Sequence, residues 1–63
     1  MLNSKQRMMI RADEELREAN KDYNIAIANV QKQIDSPDSI APERRFMGKV
    51  LEYLKAKQIW LRG

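Results

Sequence analysis

Five acids crowd one short stretch of the chain: Asp13, Glu14, Glu15, Glu18 and Asp22. Paired carboxylates are what general acid–base catalysis or a carboxylate-bridged metal pair requires. The spacing supports neither. Di-metal sites in helical bundles add a Glu-x-x-His motif to their carboxylates, and this chain has no histidine. It has no cysteine either, so a structural zinc site lacks a ligand set. The acids instead stand three or four residues from cations: Asp13 and Glu14 from Arg17, Glu15 from Arg11, Glu18 from Lys21. On a helix, that spacing makes a solvated face laced with weak ion pairs. No nucleophile–base pair or phosphate loop is present, and the chain reads as non-enzymatic, with no cofactor and no metal.

The cations of the second half suggest a different chemistry. Arg44, Arg45, Lys49, Lys55, Lys57 and Arg62 face only Glu43 and Glu52 between residues 43 and 62, a local net charge of +4 in a chain of +3. Clustered Lys and Arg are what a phosphate-contacting surface needs. At about 100° per residue, however, these cations divide between the two edges of an apolar arc, the ordinary border of an amphipathic helix. Phe46, Tyr53 and Trp60 lie seven apart in one aromatic line, and Lys57 falls within it, between Tyr53 and Trp60. Either the ammonium snorkels to water, or it meets an anionic partner group. Trp60 is either a core anchor or a binding hot spot.

The elements that must position these residues are helical. Asn3 is a good N-cap, with Gln6 completing a capping box. From Ser4 to Asp35 there is neither Gly nor Pro, and apolar residues recur at three-four spacing. Met9, Leu16, Tyr23 and Val30 are seven apart, as are Ala12, Ala19 and Ala26. Alternating large and small residues suits either an ordinary core or a seam between helices. Ser36-Pro37-Asp38-Ser39-Ile40-Ala41-Pro42 breaks the pattern, and Pro42 fits the first turn of the next helix. The expected fold is therefore all-α: a single helical-hairpin domain spanning 1–63, with helix one about 4–35, a turn about 36–41 and helix two about 42–62. Gly48 lies opposite helix two's apolar face.

Such a hairpin leaves apolar surface uncovered. Met47, Val50, Leu51, Leu54 and Leu61 widen helix two's arc to about 180°, more than one helix covers. Helix one, being longer, leaves Leu2, Met8, Met9 and Ile10 overhanging. Ile10, Ile25, Ala28 and Ile59 lie on outward faces. A chain of 63 residues without disulfides or metal sits near zero net stability unless it oligomerises. The expected oligomer interface comprises Met9, Leu16, Tyr23, Phe46, Val50, Tyr53, Leu54, Trp60 and Leu61, closing the hairpins into a homo-oligomeric helical bundle.

With 43% apolar and 33% charged residues, the chain has the composition of a folded protein. Its longest apolar run, Ile25 to Ala28, is far below the ~20 residues of a membrane span. Its start does not read as a signal peptide. A cytoplasmic protein without a membrane partner is expected, the acids of helix one being repelled by anionic lipid.

The layout resembles two-helix hairpins that pair into four-helix bundles, among them small plasmid- and phage-borne RNA- or protein-binding regulators. Leu54-Lys55-Ala56-Lys57-Gln58-Ile59-Trp60 is similar, over a few residues of ordinary helical pattern, to the last helix of small phage proteins that sequester cyclic-nucleotide signals. The functional expectation is a small bacterial or phage accessory, regulatory or inhibitory protein that associates with itself and binds another protein. The alternative is binding of nucleic acid, or of a small phosphorylated ligand of the cyclic-nucleotide type, by the basic edges of helix two.

Overall fold

A computed structural model describes residues 1–62 and contains three helices where two were expected: α1 (Ser4–Glu18), α2 (Tyr23–Asp35) and α3 (Ala41–Arg62). Among these residues there is no strand. The all-α expectation holds and the two-helix hairpin does not, because helix one is broken at residues 19–22.

The break has a clear local cause. Asn20 and Lys21 adopt left-handed backbone conformations, φ 53° and 63°. The Lys21 N–H donates to the Leu16 carbonyl at 2.6 Å and the Asn20 N–H to that of Arg17 at 3.2 Å, the bonding of a Schellman C-cap. Asn tolerates this conformation better than any other residue except Gly. Asp22 then caps the new helix, accepting through Oδ1 from the N–H groups of Asn24 (2.9 Å) and Ile25 (3.3 Å). Two good terminal residues thus outweigh the absence of Gly and Pro.

The other ends follow the sequence more directly. Asn3 and Gln6 form the capping box, with Asn3 Oδ1 accepting from the Gln6 N–H at 2.8 Å and Gln6 Oε1 accepting from the Asn3 N–H at 2.9 Å. Ser36, ahead of Pro37, is extended at ψ 133°, as the proline ring demands. The Ser39 hydroxyl donates to the Gln33 carbonyl, which the Ser36 N–H reaches only at 3.4 Å, and so secures an acceptor at the end of α2.

Packing centres on α3, which contacts both other helices more extensively than they contact each other. The Asn24–Gln58 pair, at 2.7 Å, sets the start of α2 beside the last turns of α3, so these two helices run antiparallel. The core is Ala12, Ala19, Ala26, Val30, Met47, Val50, Leu51 and Leu54. The alanine line lies at its centre, because small side chains let backbones approach closely. Leu16, Tyr23, Phe46 and Tyr53 pack half-buried around the margin. Met8, expected to overhang, folds against the core once α1 turns back, while Leu2, Met9 and Ile10 stay exposed.

The core also holds a carboxylate. Glu15 is 1% exposed. Its Oε1 accepts from Arg11 Nη2 and from Gln33 Nε2, each at 2.9 Å, and Arg11 Nη2 also donates to Gln33 Oε1 at 3.1 Å. Its second oxygen, Oε2, has no hydrogen-bond partner among the described residues.

Candidate interaction surface

Helix lengths decide what remains uncovered. At 1.5 Å per residue, α3 is about 33 Å long, against about 22 Å for α1 and about 20 Å for α2. The core reaches along α3 only to Leu54, and Gln58 makes its last hydrogen bond to another helix. Beyond it come Ile59, Trp60 and Leu61, exposed by 71%, 75% and 57%. Consecutive residues point about 100° apart, so these three side chains spread over about 200° of the helix, with Gln58 and Arg62 occupying the rest of the turn. An apolar arc that wide is more than an isolated solvated helix end ordinarily carries.

Beside this turn lies a shallow cleft lined by Tyr53, Ala56, Lys57 and Trp60. Lys57 Nζ donates to Tyr53 Oη at 3.1 Å and lies 5.4 Å from the centre of the same ring. That bond, followed by the electrostatic influence of Tyr53, raises the ammonium's pKa above the ordinary lysine value of 10.5; Tyr23 and Asp13 add smaller contributions, and partial desolvation opposes them. Lys57 is half-buried, with its ammonium held against the Tyr53 hydroxyl. It is pinned across Tyr53, and no carboxylate of the described residues lies within 4.0 Å of it. A second cleft is formed by Asp13, Leu16, Arg17, Lys21 and Tyr23.

The residues expected at an oligomer seam divide into three groups. Val50 and Leu54 are fully enclosed by their own chain. Leu16, Tyr23, Phe46 and Tyr53 are half-buried at its margin. Met9, Trp60 and Leu61 are exposed. The six cations do not form one patch. Arg44 reaches the Ser36 carbonyl at 3.5 Å near the start of α3, Arg45 and Lys49 are exposed along it, and Lys55, Lys57 and Arg62 gather near its end.

One group was misplaced by sequence reasoning. Glu15 was read as part of a solvated face, yet it is the one charged residue in the core. Its position three residues from Ala12 and four from Ala19 was the available signal. Of the four ion pairs expected on that face, Arg11–Glu15 forms, and Arg11 also meets Glu14 at 3.3 Å. Asp13, Arg17, Glu18 and Lys21 make no ion pair among the described residues. No group of three acids converges to hold a metal among those residues. None of their helices is long and apolar enough to cross a membrane.

Compared with family models, with curated proteins and with solved structures, the chain matches none.

Proposed function

We propose that this chain is a non-enzymatic helical interaction protein that associates with itself and docks a protein partner through the protruding end of α3. The observation that carries this reading is the exposed run Ile59-Trp60-Leu61, apolar over a wide arc of the helix and beyond the reach of α1 and α2. Total surface supports it. A monomer of 7.4 kDa is expected to expose about 4,200 Å², whereas this chain exposes 4949 Å². The excess, about 700 Å², approaches the ~800 Å² that each partner contributes to a standard interface. A small accessory or regulatory role fits a chain that has binding surface and no catalytic constellation.

Trp60 is the chain's single tryptophan and supplies the test. On raising the concentration, its emission moves to the blue and acrylamide quenching falls as the ring is covered. An emission maximum that stays at the fully hydrated position at every concentration overturns self-association.

A second reading, binding of nucleic acid or a small phosphorylated ligand, has its own support. Lys55, Lys57 and Arg62 stand near an exposed indole without a carboxylate partner among the described residues. Stacking on such a ring with phosphates on adjacent cations is how single strands are held. Titration of labelled DNA, RNA and cyclic nucleotides at two salt concentrations decides it. Binding that falls steeply with salt supports this reading, and no binding at low salt removes it.

A further inference from the structure

Resting on the self-association just proposed, we infer that two copies of this chain dimerise by exchanging α1. Residues 19–22 straighten, α1 and α2 become one helix over residues 4–35, and α1 of each copy packs where the other copy's α1 packs in the single chain. The docking site is thus one that α1 already fills against α2 and α3. Three observations select this exchange.

The first is the hinge. Asn20 and Lys21 hold φ 53° and 63° although neither is glycine, and a Cβ makes that conformation unfavourable. Ala19, Asn20, Lys21 and Asp22 can all continue a helix, and no Gly or Pro stands between Ser4 and Asp35. Straightening relieves both left-handed residues and adds helical hydrogen bonds, at the loss of the C-cap bonds and the Asp22 cap. Short hinges under strain invite exchange between copies.

The second is the apolar pattern. Met9, Leu16, Tyr23 and Val30 keep their seven-residue spacing across the hinge, and so do Ala12, Ala19 and Ala26. A turn that only reversed the chain would not need to preserve that phase. On a continuous helix both lines share one face and form an unbroken seam.

The third is the register of α2 on α3. Gln58 Nε2 donates to Asn24 Oδ1 at 2.7 Å, and the two helices run antiparallel. A helix continued backwards from Asn24 through Tyr23, Asp22 and Lys21 therefore runs beside Ile59, Trp60 and Leu61, which the single chain leaves bare. At 1.5 Å per residue the continuous helix is about 48 Å long and passes well beyond the end of α3. Its first half then cannot return to its own core and enters the second copy's. The hinges meet at the two-fold axis, and the α3 ends beside them are enclosed between the copies.

The Glu15–Gln33 contact reads the exchange, because it joins α1 to α2. Isotope-labelled and unlabelled full-length chains are mixed in equal amounts, unfolded in urea and refolded together, and the dimer is isolated. Isotope-filtered NMR should show cross-relaxation between the Gln33 side-chain amide of labelled chains and the Glu15 methylenes of unlabelled ones. A dimer with this contact only within each chain overturns the exchange and leaves self-association standing. A parent chain that stays monomeric overturns both. Hinge variants give an independent reading. Lys21→Gly eases the turn and weakens a continuous helix, and should weaken dimerisation at least about tenfold. Asn20→Ala with Lys21→Ala does the opposite and should strengthen it at least about tenfold. Neither alters the α3 end, so a dimer held by that end alone responds to neither. Equal dissociation constants for parent and variants overturn the exchange.

Discussion

Gln33 on α2 donates from Nε2 to Glu15 Oε1 on α1 at 2.9 Å, tying the two least-contacting helices together through a buried carboxylate. Arg11 closes the triangle from the rim, its guanidinium bonded to both residues. A buried charge so held is strongly affected by the loss of a partner, and much less by replacement of the whole set with apolar side chains.

Arg11→Ala should therefore destabilise the fold by about 3 kcal/mol, the low end for breaking a buried pair, because solvent reaches Arg11 and screens part of the loss. The triple change Arg11→Met, Glu15→Leu and Gln33→Met, which replaces the whole set, should be near neutral. Urea unfolding of the two proteins makes the comparison. A triple variant as unstable as Arg11→Ala would show that packing, and not the unpaired carboxylate, sets the cost.

Lys21 holds φ 63° with a full side chain. Left-handed backbone costs a non-glycine residue roughly 1–2 kcal/mol. Lys21→Gly should thus stabilise the chain by a few tenths to 1 kcal/mol once the greater freedom of unfolded glycine is subtracted. Asn20→Val, at φ 53°, should destabilise it. Thermal melts at one fixed concentration provide both numbers, and a destabilised Lys21→Gly protein would contradict the turn geometry.

Gly48 lies inside α3, and a Cβ built there meets nothing within 4 Å. With no clash to offset the gain in helix propensity, Gly48→Ala should stabilise by about 1 kcal/mol. For a domain this small that raises Tm by about 4–8 °C. An unchanged or lowered Tm would mean that a partner's backbone needs the bare face.

Lys57 carries a pH dependence of known sign. Its folded-state pKa is raised, chiefly by the hydrogen bond to Tyr53, so its contribution to stability is fully present below pH 10.5 and is lost as pH rises through the higher folded value. Tyr53→Phe keeps the ring and removes the hydroxyl, and should return the ammonium toward its ordinary pKa. An NMR titration of the lysine side-chain signals reads the change directly. Equal Lys57 titration in both proteins would show that the bond does not persist in solution.

How much of this was legible beforehand varied by element. The capping box at Asn3 and Gln6, the Pro-bounded turn and the start of α3 were readable because each depends on residues within one turn of itself. The break at residues 19–22 was not, since an argument from missing Gly and Pro passes over an Asn C-cap followed by an Asp N-cap. That one omission displaced everything that depended on register. It turned a three-helix core into a hairpin with an overhanging first arm, and it placed Val50 and Leu54 at a seam between chains when α1 and α2 of the same chain enclose them. Trp60 and Leu61 were named, but their exposure follows from where the partner helices stop, which periodicity does not encode.

The central claim is that the end of α3 is covered by another copy of this chain. Sedimentation equilibrium across a range of concentrations, with thermal melts on the same samples, measures it most directly. The account predicts a mass that rises above 7.4 kDa with concentration, and a Tm that rises with it because association and folding are linked. A folded 7.4 kDa monomer throughout, with a Tm independent of concentration, would contradict it.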